Sequence, residues 1–425
     1  MHDITRRRFA AGIAAAPLAL GAFGRRAAAE TRLRLFWWGN PERDKRTFEV
    51  VDLHKQKQPD VHIDAEAIGW SDYWTKMATQ AAGRNMADVV QMDYRYLYEY
   101  ARRNQLEPLD DHLGEGIDLS HFDPEFLDSG RFEGKLYAVP WTVNSTTCYI
   151  DTDSLREFGV AMPDWSWTWD DLKNVSREIK KQAPEGLAAV ADKGLWEPML
   201  EVFMRQRGKA LYTEEGEIAF TEEDVADYLG LWDSFRQEGL VPPPDVTTRD
   251  IGGLDQTPLV GRKCVIDFAH SNQIVALQAL VPNELGMNML PNLEGGQPGQ
   301  YLKPSMLISV SQTSQNKEEA VKLTAFLTYD LDAAAILGVE RGVPGDSRAR
   351  DFLLNKVNPT ERKMIEYLDI VAGNVSPLPP PPPKGAGEVA TLLRRFYPEL
   401  AYGRMTVAEG ATQFYRQAQA VLRRA

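Results

Sequence analysis

Asn40, Glu42 and Arg43 follow directly on the apolar run LFWWG, Trp70 and Tyr73 follow a second such segment, and Asp93 and Tyr94 a third. Amides, carboxylates and a guanidinium can hold sugar hydroxyls through directional hydrogen bonds, while flat rings cover the apolar faces of pyranoses. Covalent chemistry, by contrast, leaves no trace in the spacing. The six histidines show no HExxH pattern, and the two cysteines, Cys148 and Cys264, form no CxxC. GxSxG, phosphate-binding and dinucleotide-binding loops are also missing from the sequence. No metal or cofactor is expected. The 61 acidic residues leave room for the carboxylate pair of a glycoside hydrolase, but no spacing singles one out.

The elements that position these residues alternate between two periods. Leu33, Leu35 and Trp37 alternate with arginines, and Val61, Ile63, Ala65 and Ala67 alternate with polar residues, as half-buried strands do. Asp88–Met92 reads as a short buried strand. Between them, Asn40-Pro41-Glu42 has the signature of a helix start, with Phe48, Val50, Val51 and Leu53 marking the buried face. Trp70–Arg84 and Tyr94–Arg103 read as further helices. Repeated β-α-β units imply a parallel sheet, at whose carboxyl edge ligands sit. By alternation Trp37 is a core residue, and Trp74, one helical turn after Trp70, is read as core as well, whereas Trp38 fits a core or a pocket wall equally. Asp93 caps the next helix or meets the ligand, with equal claims. Trp165, Trp167 and Trp169 read as packing and capping residues. Two extended segments are expected around Pro140, later strands at Val265–Phe268, Leu285–Leu290 and Ser305–Val310, and a helix at Asn316–Thr328. Beyond Asp330 the chain is helical except for SPLPPPPPK, a stiff polyproline strap over the surface.

The 425 residues suffice for two domains. Thr5-Arg6-Arg7-Arg8-Phe9, a mild apolar stretch and Ala27-Ala28-Ala29 read as a twin-arginine signal peptide over residues 1–29. Export to the periplasm as a soluble protein follows, with no cysteine near the cleavage site for a lipid anchor. Cys148 and Cys264 could pair there or remain buried thiols. The formal charge of −13 becomes −17 without the signal, which disfavours nucleic acid and anionic membrane surfaces as partners.

FWWGNPERDKRT, ADVVQMD, GKLYAVPWTVNSTTCYIDTDSLREFGV, WTWDDL, GRKCVIDFAHSN, SMLISVSQTSQNKEEAVKLTAFLT and ERGVPGDSRA follow one another in an order that resembles the family-1 extracellular solute-binding proteins of bacterial ABC importers, relatives of maltose-binding protein. The resemblance implies an α/β fold of two lobes, each discontinuous in sequence, joined by a hinge. The expected division is 30–142 plus 292–330 for the first lobe and 143–291 plus 331–425 for the second. By position it adds Thr142 and Asn144 at the crossover, Trp196 and Glu197 on a cleft helix, Phe268, His270 and Asn272 after a strand, and Arg341, Gly342 and Val343 at a turn to the ligand side. Where such proteins commonly carry Gly-Ser/Pro-Trp, this chain has Phe-Ala-His-Ser, so a stacking tryptophan is missing and His270 can supply a hydrogen bond or partial charge. The implied function is capture of a carbohydrate without catalysis, by a monomer that docks on the permease of an ABC importer. A secreted glycosidase or polysaccharide lyase is the rival, and a sensory accessory a third reading. The choice of sugar, and whether it is anionic, lies beyond the sequence.

Overall fold

A computed structural model describes residues 31–425 except 115, 123, 251, 252 and 381; the expected signal peptide lies outside the described residues. Strand β1, Thr31–Trp38, runs parallel to β2, Val61–Ile68, and to β3, Val89–Met92. Helices α1 (Pro41–Lys57), α2 (Trp70–Ala82) and α3 (Tyr94–Arg102) follow the three strands in turn. The sheet is mixed beyond β3. Strand Lys303–Val310 joins antiparallel to it, followed by Val139–Asn144 and the two-residue Val343–Pro344, giving six strands.

Both faces of β1 are covered. Leu35, Phe36, Trp37 and Trp38 are all buried in succession, so the strand's alternation of arginine and apolar residues holds only in its first half. Trp38 proves to be core, packed edge-on against Trp70 and Tyr73. The buried face of α1 also differs from the apolar pattern. Arg43, Thr47, Val50 and His54 face inward, while Phe48 is 44% exposed and rests on the edge of Trp37. The stripe keeps the i, i+4, i+7 and i+11 spacing, but Arg43 and Thr47 meet polar partners, Glu340 and Arg341, and His54 packs edge-on against Phe326.

Pro140 lies within the strand Val139–Asn144, and the expected break falls instead at Ser145. The missing proline N–H is accommodated at an irregularity where the register to Met306 and Leu307 shifts. After Ser145 the chain enters a second sheet of four strands: Leu285–Asn288, Thr146–Asp151, Cys264–His270 and Ala188–Val190. One face carries Cys148 and Ile150 in a core with Trp232, Phe268 and Tyr397; Tyr149 on the other face joins a core with Leu277, Leu353 and Tyr367. The cysteines are free, buried thiols.

The first core takes in β1–β3, Leu307 and Ile308, and also Ala333 and Leu337 of the helix Leu331–Leu337. Leu293 and Leu302 pack against the second sheet's cores. The chain passes between the two bodies at Ser145 and near Leu302, and again over Gly338–Leu353, where Val339 already packs in the second body's core while Val343–Pro344 still pairs into the first sheet. Among the described residues no helix is long and apolar enough to span a membrane.

Candidate ligand-binding site

The carboxyl ends of the first sheet's strands face the second body across a cleft. Tyr94 and Arg95 reach it because Asp93 caps α3, accepting from the Arg95 backbone N–H at 2.9 Å, which turns the helix's first residues outward. Lys303 reaches it from the start of its strand. From the opposite side come Glu197 and Glu201, one turn apart on the helix Glu197–Gln206, together with Leu211, Tyr212 and Tyr301. Pro379, Pro380 and Pro382 of the strap close the outer side of the cleft. This space amounts to about 480 Å³, its open mouth included. A second space of about 280 Å³, open solvent included, shares Arg95, Glu201, Tyr301 and Lys303 with the first and is also lined by Thr146, Pro198 and His270.

Charge is arranged in layers. Lys303 Nζ donates to Asp93 Oδ2 at 3.1 Å. Arg95 Nη2 donates to Glu197 across the cleft. Burial would raise the Asp93 pKa, but Lys303 and Arg95 together hold it below the usual carboxylate range. Glu201 goes the other way: burial, and then the neighbouring Glu197 charge, raise its pKa while it accepts from the Tyr301 hydroxyl at 2.9 Å. His270 stands edge-on to Trp196, ring centroids 5.3 Å apart. Burial, and then the positive charge of Lys303, lower its pKa to about 3, so the imidazole is neutral at pH 7.

Of the residues expected at the ligand, Tyr94, Glu197 and His270 line this cleft, and Trp196 stands behind His270. Asp93 lies beneath the cleft as a cap and as the partner of Lys303. A second group gathers where the chain crosses between the bodies. Arg43 makes a two-point pair with Glu340, at 2.7 and 3.1 Å, and Asn40 adds a 2.8 Å bond to the same carboxylate. Burial opposes the Glu340 charge, but Arg43 outweighs it and its pKa is lowered. Asn144 donates to Asn272 at 2.8 Å and to Ser305 at 3.1 Å; Asn272 donates to the Glu340 carbonyl, and Thr142 to that of Arg341. Ser145 donates to the Tyr301 carbonyl at 2.8 Å. All three crossings are thus tied into one buried polar network.

Arg341 is part of that network. It donates to Gln91 and Thr47, at 3.0 and 2.7 Å, and its guanidinium lies over the Trp141 ring. Burial, then Arg43, lower its pKa to about 9. Gly342 and Val343 serve the same turn: Gly342 has φ +129° in a space where a Cβ would lie 2.5 Å from the Val143 carbonyl oxygen. Four other residues stand away from both places. Tyr73 is fully buried, its hydroxyl donating to the Gln91 carbonyl at 2.7 Å. Phe268 is core, against Trp232. Trp70 packs with Trp38, Trp74 and Tyr96. Glu42 pairs with Arg46 one helical turn on, at 2.7 Å. For Tyr73, Phe268 and Trp70 the reason is that strand ends supply both cleft and core, and residue type does not distinguish them; Glu42 is instead taken up by a half-exposed pair on its own helix. Glu201, Tyr212, Tyr301 and Lys303 also line the cleft and no local pattern points to them, whereas Arg95 carries a signal as the residue that the third strand delivers to the sheet edge with Asp93 and Tyr94.

Two α/β bodies joined by three crossings, with a polar cleft between them, define a two-lobe binding protein. The match of residues 44–330 to the family model for bacterial extracellular solute-binding proteins makes the assignment definite: the chain belongs to that family. It is 23% identical to a lactose-binding protein of Rhizobium radiobacter over 70% of each chain. A family-1 extracellular solute-binding protein of Alicyclobacillus acidocaldarius matches 92% of this chain and 98% of its own, at 28% identity and a TM-score of 0.69. The fold is also that of a Yersinia enterocolitica periplasmic oligogalacturonide-binding protein solved with digalacturonic acid (TM-score 0.84, 21% identity, covering 93% and 99% of the two chains).

Proposed function

We propose that the protein captures a carbohydrate in the cleft between its lobes and delivers it to the permease of an ABC importer, acting in the periplasm as a monomer exported by the twin-arginine route. The observation that carries this reading is the composition of the cleft. Both bodies contribute to one cleft in which three tyrosines (94, 212 and 301) stand beside the carboxyls of Glu197 and Glu201 and the cations Arg95 and Lys303. Rings and bidentate polar groups in one enclosed space suit a polyhydroxylated ring, which presents apolar faces and a polar rim. The lactose-binding and oligogalacturonide-binding relatives support the same ligand class.

Binding to groups on both lobes stabilises the closed arrangement over the open one, and the closed form is what the permease recognises. No bond in the ligand is made or broken. Calorimetry with a panel of mono- and oligosaccharides tests the proposal: at least one is expected to bind tightly, to raise the melting temperature, and to be recovered intact. Release of new reducing ends by the purified protein would establish a glycosidase instead.

A further inference from the structure

Both cations of the cleft already have a carboxylate beside them. Lys303 Nζ donates to Asp93 Oδ2 at 3.1 Å, and Arg95 donates to Glu197 across the cleft. Glu201 is a third acid, and it accepts from a neutral group, the Tyr301 hydroxyl, at 2.9 Å. A ligand carboxylate therefore finds no cation without a counter-charge here, and meets like charge instead. A neutral group, by contrast, stands unpartnered. Tyr212 is only 7% exposed, and its hydroxyl is buried without a hydrogen bond to any described residue. The residue lines the cleft together with Tyr94, Glu197, Glu201 and the prolines of the strap. Burial pushes its pKa well above the usual tyrosine range, so the hydroxyl keeps its proton; after burial, the charges that bear on it are those of Glu197, Arg95 and Glu201, all cleft residues. A buried hydroxyl left unmet costs free energy that a hydrogen-bonding ligand restores. It both donates and accepts, so another hydroxyl suits it as a partner. Other parts of the wall carry no charge: Pro379 and Pro380 lack an N–H, and the His270 imidazole is neutral at pH 7.

We propose that the ligand is an uncharged saccharide, and that Tyr212 is a specificity-determining contact whose hydroxyl shares a hydrogen bond with one ring hydroxyl. The inference rests on the saccharide reading above. The ion pairs of the cleft then act as fixed donors and acceptors around the ring and not as counter-ions of the ligand. A uronate brings a carboxylate among three carboxyls and is rejected on charge. An amino sugar would gain only by ionising Glu201, which burial and then the Glu197 charge hold toward its neutral form.

Matched sugars test this by calorimetry at pH 7 on the full-length protein: glucose and galactose against glucuronate, galacturonate and glucosamine, with maltose and lactose as longer neutral ligands. The tightest ligand should be uncharged, and a uronate should bind at least about tenfold more weakly than its neutral parent. Glucosamine should bind no more tightly than glucose. Tyr212→Phe should weaken the best neutral sugar roughly 5–10-fold, the loss of one neutral hydrogen bond. Without ligand the same variant should melt at or slightly above the parent's temperature, because the hydroxyl it lacks had no partner to lose. Monodeoxy forms of the best sugar complete the cycle: one of them should bind the parent and Tyr212→Phe alike. Overturning results are a uronate that binds as tightly as its neutral parent, glucosamine tighter than glucose, an unchanged affinity or a lower ligand-free melting temperature in Tyr212→Phe, or no deoxy sugar that binds the two proteins alike. Any of these leaves the saccharide reading intact, whereas failure of every saccharide sinks both.

Discussion

Glu340 accepts from Asn40 and Arg43 inside the protein, and breaking such a buried pair leaves an uncompensated charge. Glu340→Ala is therefore expected to lower unfolding stability by about 3–5 kcal/mol in urea melts. Glu42→Ala, which removes a half-exposed pair to Arg46, should cost no more than about 1 kcal/mol. A small effect at Glu340 would mean that the crossing network does not bear on folding. His270 offers a pH test. Its folded pKa, about 3, is below its unfolded value, so between roughly pH 6.5 and 3 the unfolded chain holds a proton that the folded one refuses. Stability is thus lost as pH falls through that window, with Lys303 and Arg95 opposing the imidazolium and Asp93 favouring it. The drop in stability between pH 7 and 5 should be smaller in His270→Asn than in the parent; equal drops refute the assignment. At this scale the sequence was legible in kind but not in destination. Arg43 is visibly a polar group after a strand, yet its partner lies 297 positions later, and nothing local reports it.

Elements were the most legible scale, because capping and period are local. The N-cap of α1, the strands around the first two turns and the helix capped by Thr168 with Asp171 all follow from short patterns. Where the reading failed, a tertiary contact had overridden a local pattern: the inward face of α1 is polar, and Pro140 sits inside a strand. The strap was legible as polyproline but not as a cleft wall. Its position is held by Arg205, which donates to the Pro377 carbonyl at 2.5 Å, and by the Tyr94 hydroxyl, which donates to the Pro379 carbonyl at 3.1 Å. The turn at Gly342 is an element whose residue type is dictated by backbone space. Gly342→Ala meets both a left-handed φ and the Val143 carbonyl, and should cost about 1–3 kcal/mol, read as a lower urea midpoint at an unchanged slope. Stability equal to the parent would show that the crossing can relax without strain.

For the whole molecule, the balance between open and closed lobes rests on few contacts. Arg95 to Glu197, the Tyr94 hydroxyl to the strap, and α3 against the helix Ala386–Ala401 span the cleft directly. The crossing network, by contrast, stays with the chain segments that must pivot. Closure should then respond to cleft residues and stability to network residues, two separable effects. A contact worth about 1.4 kcal/mol changes the ratio of closed to open molecules tenfold. Glu197→Gln removes the charge that Arg95 meets across the cleft, so without ligand its radius of gyration in X-ray scattering should exceed the parent's. Saturating saccharide should bring the parent to the compact value. Glu340→Gln is expected to lower the melting temperature while leaving the ligand-bound radius of gyration unchanged. If Glu197→Gln scatters as the parent does without ligand, the ion pair does not hold the lobes together, and closure must be governed at the crossings instead.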